Sequence, residues 1–368
     1  MKNNQFHIDF KLNGFSFSSV EELVEYSKTL SSGTHQFLIE WFSIDDIIHV
    51  KTSGSTGTPK LIKLKKEFVI NSALATAVFF DLPEKTTALL CMSTDYIAGK
   101  MMLVRALVLG WHLDEIEPSS SPLKGMGKKY DFSAMVPLQL RNSLENLQLI
   151  HKLIVGGGVV AFDLLKLLQD QSTEVYATYG MTETVTHIAV NQLNIFSHST
   201  PTINTLQKYQ SHYQVLPNIS ISQDQRGCLV INAPKVSESV IITNDVVELI
   251  SDVEFKWLGR FDNVINSGGI KLHPEEIEKK LFQVISQRFF VAGLTDAVLG
   301  EKLVLVVEED VISSEAEKSL REKLNLSLRK GANLSKYEVP KAIYFVAKFI
   351  ETETKKIQRN KTLDVLFK

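Results

Sequence analysis

Short apolar runs alternate with segments of helical spacing along the first half of the chain. The apolar runs predict buried strands over residues 47–50, 86–93, 111–116, 131–136, 152–155 and 174–178. The segments with helical spacing predict helices over residues 19–30, 65–80, 100–109, 138–146 and 161–169. Because strands that alternate with helices form largely parallel sheets covered on both faces, the pattern predicts an α/β fold whose ligands lie at the carboxyl ends of its strands.

The second half of the chain changes character twice. Residues 190–257 are rich in strand patterns, which predict a small β-subdomain packed beside the main sheet. A mixed segment follows, with predicted helices over 274–285 and 314–330 and predicted strands over 288–293, 302–308 and 342–346. This mixture predicts a separate, small α+β domain at the C-terminal end.

Composition narrows the class of protein. The 368 residues are 44% hydrophobic and 22% charged, which is typical of a globular chain long enough for two domains. The net charge of −2 offers no basic field for nucleic acid, and no apolar run is long enough to enter a membrane. The polar start lacks the apolar stretch of a signal peptide, and Cys91 and Cys228 stand apart without metal-ligand spacing. We therefore expect a cytoplasmic protein with buried free thiols.

A loop dense in glycine and hydroxyl residues follows the strand predicted over 47–50. Its residues are Thr52, Ser53, Gly54, Ser55, Thr56, Gly57, Thr58 and Lys60. Glycines let backbone N–H groups crowd round an anion, the hydroxyls add donors, and the lysine adds a fixed positive charge. The spacing differs from the G-x-x-x-x-G-K-[ST] loop of P-loop enzymes. The loop therefore predicts a polyphosphate site at the carboxyl end of a sheet strand, with an ordinary polar turn as the alternative.

Four sequence blocks in order resemble the adenylate-forming superfamily of acyl-CoA synthetases, luciferases and adenylation domains. They are TSGSTGTPK at 52–60, YGMTET at 179–184, GRFDNVINSGGIK at 259–271 and TETKKIQR at 352–359. The resemblance covers about residues 45–362, and the segment before the first block is shorter than is usual in the superfamily. A second copy in a homodimer is one way to close the binding pocket that this segment leaves incomplete.

The resemblance assigns residues to ATP, Mg²⁺ and coenzyme A. Asp245 is expected to accept the ribose hydroxyls, Arg260 to contact ribose or phosphate, and Glu183 to bind Mg²⁺. The remaining positions implied for the nucleotide are Gly156, Gly157, Gly158, Tyr179, Gly180, Met181 and Thr182, with Thr182 and Lys60 also counted as catalytic. The pair Gly268 and Gly269 is expected to approach the pantetheine arm of coenzyme A.

The same resemblance places a hinge at 259–262 between an N-terminal ATP- and acid-binding domain (1–258) and a mobile C-terminal domain (263–368). Asp262 matches the hinge position, and Lys356 matches the catalytic lysine, although Lys355 replaces the usual glycine before it. Lys100 and Arg105 are candidates for pairing with substrate carboxylates, or are solvated helix charges. His187 either faces the acid pocket or packs in the core.

The implied activity is a ligase with two half-reactions, formation of an acyl-adenylate from MgATP and a small carboxylic acid, then transfer to coenzyme A. Within the superfamily, DYIAGKMM, GMTETVTHIA and the 259–271 block look most like the o-succinylbenzoate–CoA ligases of menaquinone biosynthesis. Two alternatives stay open. One is another aryl- or acyl-CoA ligase or a stand-alone adenylation enzyme, and the other is a degenerate nucleotide-binding homologue without activity.

Overall fold

The computed structural model describes residues 6–51, 61–194, 212–310, 333–352 and 357–367, with 318, 319, 321–323, 325 and 326 between them. Two predicted features lie outside the described residues. They are the polyphosphate loop from Thr52 to Lys60 and the tail lysines Lys355 and Lys356. Much of the helix predicted over 314–330 lies outside them as well.

Six parallel strands form one half of a twelve-stranded sheet, in the order β1-β5-β4-β6-β7-β8. These strands are β1 (Lys11–Leu12), β4 (Thr87–Leu90), β5 (His112–Glu115), β6 (Tyr130–Met135), β7 (Ile150–Val155) and β8 (Glu174–Gly180). The predicted α/β class is confirmed. The carboxyl ends of β7 and β8 lie side by side, which brings two of the predicted site segments together.

The other half of the sheet is antiparallel, in the order β9-β10-β14-β13-β12-β11. Its strands are β9 (His187–Gln192), β10 (His212–Val215), β11 (Ser220–Gln223), β12 (Cys228–Asn232), β13 (Ile241–Ser251) and β14 (Glu254–Arg260). The strand-rich segment therefore extends the main sheet through the β8–β9 pairing. Strands β10 and β11 are separated where Asn218 adopts a positive φ of 64°.

Helices cover both faces of the parallel half. Helices α1 (Val20–Ser27), α2 (Ser32–Phe42), α3 (Lys66–Phe80) and α4 (Ile97–Leu109) share one core with Ala88 and Leu90. Helices α5 (Pro137–Asn142) and α6 (Phe162–Leu168) share a second core with Leu89, which points to the opposite face. Burial on both faces explains why these strands are continuous apolar runs.

The strands around the predicted polyphosphate loop do not belong to this sheet. Strands β2 (Ile47–Lys51) and β3 (Leu61–Lys65) pair only with each other, antiparallel, among the described strands. The prediction that the loop follows a strand of the parallel sheet is therefore wrong. Ile48 and Val50 are buried while their neighbours are not, and this alternation indicates a strand with one covered face.

The C-terminal part has a sheet of its own. It contains β15 (Ile265–Ser267), β16 (Ile270–Leu272), β17 (Phe289–Asp296), β18 (Gly300–Glu308) and β19 (Ala342–Val346). Helix α7 (Pro274–Leu281) packs on one face and helix α8 (Arg359–Leu366) on the other. Alternate β18 residues supply the two cores, with Leu305 facing α7 and Val306 facing α8.

Two further expectations bear on the whole molecule. Cys91 and Cys228 are both buried and free, as predicted. Among the described helices, none combines the length and the apolar character that crossing a bilayer requires.

Candidate functional site

A buried carboxylate joins three strands of the main sheet. Asp245 on β13 accepts a hydrogen bond from the Tyr179 hydroxyl at 2.7 Å through Oδ2 and from Trp257 Nε1 at 3.2 Å through Oδ1. Arg260, its partner in the β13–β14 register, places Nη1 at 3.5 Å from Oδ1. Because each carboxylate oxygen can accept two hydrogen bonds, Asp245 is fixed in place and still has acceptor capacity for a ligand.

The phenol that supports Asp245 is held by an aromatic cluster. The ring of Tyr179 lies 5.2 Å from that of Phe255 and 5.7 Å from that of Tyr213. Burial, together with the negative charge of Asp245, raises the pKa of Tyr179 far above its usual range. The hydroxyl therefore keeps its proton at all physiological pH values and acts as a donor to Asp245.

Glycines shape the ends of β7 and β8. A Cβ at Gly156 would lie 2.8 Å from Thr178 Oγ1, and Gly157 has a φ of 80°. A Cβ at Gly180 would come within 2.2 Å of the Thr186 carbonyl oxygen, so the turn into β9 requires glycine. Gly156 therefore lies against the end of β8, one residue before Tyr179, whereas Gly157 and Gly158 lie nearest Val136 and Pro137.

A strained turn carries Thr182 and Glu183. Both lie in a short 3-10 helix, Thr182–Thr184, and Thr184 Oγ1 accepts a hydrogen bond from the Met181 N–H at 3.2 Å. Val185 follows with a φ of 66°, a conformation that β-branched residues rarely adopt and that often marks a functional site.

Glu183 supplies one carboxylate for Mg²⁺, and a bound ligand would have to supply further oxygen atoms. Glu183 is exposed. Among the described residues, the group of three possible metal ligands is His7, Asp9 and Glu84, and Glu183 is not in it. Mg²⁺ commonly binds one or two carboxylates together with substrate phosphates and waters. A single exposed carboxylate beside Thr182 fits that donor set.

Arg105 on α4 is a buried cation with no carboxylate partner among the described residues. It is only 1% exposed. Its Nε donates to Thr76 Oγ1 at 3.3 Å, and its Nη1 contacts Met102 Sδ at 3.7 Å. Nη2 has no hydrogen-bond partner among the described residues. Burial lowers the pKa of Arg105 to about 9, so it stays protonated at neutral pH.

His187 at the start of β9 lies in the electrostatic range of Arg105. It is buried, and its Nε2 also has no hydrogen-bond partner in the part of the chain that the structure describes. Burial, reinforced by the positive charge of Arg105, lowers the pKa of His187 to about 3. Arg105 and His187 thus each have a buried nitrogen without a partner among the described residues, and a guanidinium is well suited to bind an anionic oxygen group.

Lys100, five residues before Arg105, has its own partners. Its Nζ donates to the His49 carbonyl at 2.9 Å, lies 3.6 Å from Glu40 Oε2 and sits over the Phe37 ring at 4.9 Å. Glu40 Oε1 in turn accepts from the His49 backbone N–H and contacts its Nδ1. Of the two cations proposed for substrate carboxylates, Arg105 is the one that lacks a carboxylate among the described residues.

The predicted hinge connects β14 to the C-terminal sheet. Asp262 is exposed in the 3-10 helix Phe261–Asn263, accepts a hydrogen bond from Asn244 Nδ2 and lies 3.9 Å from Arg260 Nη2. Gly268 and Gly269, with φ values of 60° and 80°, form the two-residue turn between β15 and β16. No heavy atom of the described structure lies within 4 Å of a Cβ built at Gly269, which leaves room for a ligand.

Sequence reasoning missed two side chains that support Asp245. Trp257 lies on β14, a strand that was not predicted, although the alternation of Phe255 and Trp257 with polar neighbours was a usable signal. Arg226 donates to the Thr243 carbonyl and to Asn244 Oδ1, and so anchors the backbone next to Asp245. No local motif marks Arg226.

The chain is similar to known proteins in sequence and in fold. The family model described as AMP-binding enzyme matches residues 40–236, which is 197 of the 368 residues. The chain is similar to a 2-succinylbenzoate–CoA ligase of Geobacillus sp. (strain WCH70), with 24% identity over 352 residues that span 87% of this chain and 69% of the relative.

Two solved structures share the architecture. An acyl-CoA synthetase (AMP-forming)/AMP-acid ligase II-like protein from Dyadobacter fermentans is 36% identical, with a TM-score of 0.58 and coverage of 92% of this chain and 97% of that one. O-succinylbenzoate coenzyme A synthetase from Bacillus subtilis, in complex with ATP and magnesium ion, has a TM-score of 0.66 at 19% identity and covers 94% and 82% of the two chains. The second similarity supports the fold.

Proposed function

The chain belongs to the AMP-binding enzyme family, and from this premise we propose that it is an ATP-dependent acid–CoA ligase acting on o-succinylbenzoate. The carboxylate oxygen of the acid attacks the α-phosphorus of ATP, and the bond to pyrophosphate breaks. The thiol of coenzyme A then attacks the acyl carbon of the adenylate, and AMP leaves. The name of the Geobacillus relative supports the choice of acid.

The observation that carries the proposal is the buried guanidinium of Arg105. Burying a charge without a partner raises the free energy of the folded protein. A ligand that places an anion beside Arg105 would form a strong, charge-assisted hydrogen bond and offset this cost. O-succinylbenzoate has two carboxylates, of which one is activated and the other stays free. We propose that the free carboxylate binds Arg105 and accepts a hydrogen bond from neutral His187. Lys100, whose Nζ lies 3.6 Å from Glu40 Oε2, already has a carboxylate partner.

The nucleotide is proposed to bind where β7, β8 and β13 meet. Asp245 accepts the ribose hydroxyls, Arg260 contacts ribose or phosphate, and the segments Gly156–Gly158 and Tyr179–Met181 contact adenine. Thr182 donates to a phosphate oxygen. Lys60 and the hydroxyls of its loop, outside the described residues, are proposed to hold the phosphates. Mg²⁺ beside Glu183 would neutralise phosphate charge and make the α-phosphorus more electrophilic.

The second half-reaction is proposed to use a reoriented C-terminal domain. Residues 263–368 turn about Asp262, which withdraws Lys356 from the adenylate and brings the Gly268-Gly269 turn towards coenzyme A. Lys356, also outside the described residues, is proposed to neutralise charge while the mixed anhydride forms. The co-substrates place this activity in the cytoplasm, and a homodimer that completes the acid pocket is part of the proposal.

The test is release of pyrophosphate from MgATP with o-succinylbenzoate, with and without coenzyme A, followed by mass spectrometry of the thioester. Two analogues that each keep only one of the two carboxylates are run in parallel. We expect release with o-succinylbenzoate, thioester only when coenzyme A is present, and much weaker turnover of both analogues. Lys356→Ala is expected to abolish release, with Lys355→Ala as its matched control.

Other outcomes would redirect the proposal. Thioesters formed from other acids but not from o-succinylbenzoate would indicate another acyl-CoA ligase. Transfer to a carrier protein in place of coenzyme A would indicate a stand-alone adenylation enzyme. Pyrophosphate release at background for every acid would indicate a nucleotide-binding protein without ligase activity.

A further inference from the structure

Trp257 contacts both Asp245, the carboxylate proposed to bind the nucleotide, and the C-terminal part of the chain. Its Nε1–H donates to Asp245 Oδ1 at 3.2 Å. The Nζ atom of Lys279, on helix α7, lies over the indole at 5.5 Å from the ring centroid. This distance is within the range of a cation–π interaction. One side chain thus contacts residues that lie on either side of the predicted hinge.

Charged residues hold α7 against β14 around this contact. Glu276 pairs with Lys279 on its own helix and, at 3.3 Å, with Lys256 on β14. Nearer the hinge, Glu275 Oε1 accepts a hydrogen bond from Asn263, and its Oε2 would lie 2.2 Å from a Cβ at Gly259. Gly259 has a φ of 142°, so both its conformation and the close approach of Glu275 favour glycine there. Helix α7 is therefore docked in a defined orientation.

We propose that Trp257 is a positioning residue that couples nucleotide binding at Asp245 to the docking of α7. The inference rests on the proposed role of Asp245 as the ribose acceptor. While Lys279 lies on the indole face, the ring is fixed and its N–H holds Asp245 in the orientation that Tyr179 also favours. When the C-terminal domain turns away, the indole loses the cation and the constraint on Asp245 weakens.

Two consequences follow from this coupling. The nucleotide binds more tightly when α7 is docked, and by reciprocity a bound nucleotide favours the docked orientation. Undocking after the adenylate has reacted would therefore help AMP to leave. If Trp257 only packed against α7, the affinity for nucleotide would not respond to Lys279.

The test measures AMP binding by calorimetry, with no acid present, so that it does not depend on the identity of the acid. Lys279→Met is expected to weaken AMP binding about threefold through loss of the cation–π contact. Trp257→Phe is expected to weaken it roughly tenfold through loss of the donor to a carboxylate. In the Trp257→Phe background, Lys279→Met should have no further effect, because the N–H that transmits the contact is gone.

Lys280→Met is the matched control. Lys280 is the next residue on the same helix and pairs with Glu338 at 2.7 Å, so its loss removes a lysine from α7 without touching Trp257. Its AMP affinity should equal that of the wild type. Equal effects of Lys279→Met and Lys280→Met, or an undiminished Lys279→Met effect in the Trp257→Phe background, would overturn the coupling.

Melting temperatures identify variants that are merely unfolded. The melting temperatures of Lys280→Met, Lys279→Met and Trp257→Phe should lie within a few degrees of one another. Absence of AMP binding in the folded wild type would overturn both the ribose role of Asp245 and the coupling. AMP binding whose affinity does not change in Lys279→Met would overturn the coupling alone.

Discussion

The buried polar sites around Asp245 on β13 and around Arg105 on α4 differ in how they are completed. Asp245 has three protein partners, Tyr179, Trp257 and Arg260. Arg105 is more deeply buried, yet it has a hydroxyl and a thioether as neighbours and no carboxylate among the described residues. The proposed nucleotide side, around Asp245, is therefore built from the protein's own side chains, whereas the proposed acid side, around Arg105, is left for a ligand to complete.

The difference has an energetic meaning. A carboxylate with three donors around it contributes little strain to the folded state, because its desolvation is offset by hydrogen bonds. A buried guanidinium without an anion destabilises the folded state, and replacing such charges by apolar groups often stabilises proteins. Removing the charge of Arg105 should therefore raise stability and weaken binding of the acid. Removing the charge of Asp245 should weaken binding of the nucleotide without raising stability.

The largest effect is expected for Arg105→Met. Loss of the buried cation should lower kcat/KM for o-succinylbenzoate by roughly 100- to 1,000-fold, equivalent to about 3–4 kcal/mol. The free energy of unfolding without ligand should rise by about 1–4 kcal/mol, because an unpaired buried charge has been removed. Steady-state kinetics and urea unfolding measure the two changes. Lower stability together with unchanged kinetics would show that Arg105 serves the core.

Asp245→Asn should have the next largest effect. The amide loses the negative charge, and its single carbonyl oxygen must serve Tyr179, Trp257 and the ligand. We expect AMP binding to weaken roughly 10- to 100-fold, equivalent to about 1.5–3 kcal/mol, with no gain in stability. Calorimetry with AMP and urea unfolding distinguish this result from the pattern expected for Arg105→Met. A gain in stability here would remove the contrast between the two sites.

His187 predicts a dependence of stability on pH. Its pKa falls from 6.5 in the unfolded chain to about 3 in the folded protein. Below pH 6.5 the unfolded state therefore binds a proton that the folded state does not, and stability falls by about 1.4 kcal/mol per pH unit until pH 3. Between pH 7 and pH 5, the wild type should lose about 2 kcal/mol more than His187→Gln in urea unfolding. Parallel curves for the two proteins would mean that folding does not lower the pKa of His187.

The smallest effect on acid binding is expected for Lys100→Met, on the same helix as Arg105. Lys100 already has Glu40 as a partner, so the KM for o-succinylbenzoate should change less than about threefold. The free energy of unfolding should fall by about 1–2 kcal/mol, because Glu40 and the His49 carbonyl lose a charged donor. A KM as high as that of Arg105→Met would assign the free carboxylate to Lys100.

Local patterns predicted the parallel half of the sheet, since its strands are buried on both faces and read as continuous apolar runs. They predicted β2 as a strand but not its place, because periodicity reports which face is covered and not which strand is the neighbour. Strand β14 was not predicted, although Phe255 and Trp257 alternate with polar neighbours, because so short an alternation does not by itself establish a strand. Pairing with β13, the preceding strand, and with β10, which is distant in sequence, fixes this strand.

The site was predictable where side-chain chemistry is local. Asp245 and Arg260, which the motifs assign to one nucleotide, are paired across β13 and β14, with Arg260 Nη1 at 3.5 Å from Asp245 Oδ1. The contrast between Lys100 and Arg105 was not predictable, because both are cations on one helix. Only the tertiary structure shows that α2 brings Glu40 to the first of them and that β9 brings His187 near the second.

The separate β2–β3 hairpin makes part of the chain a local folding unit. Among the described strands it shares no ladder hydrogen bonds with the twelve-stranded sheet, so it can open without breaking that sheet. Its amides should exchange with deuterium at a lower free-energy cost than those of β6 and β7. A substitution that weakens the β2–β3 pairing should therefore speed deuterium exchange in the hairpin and leave exchange in β6 and β7 unchanged.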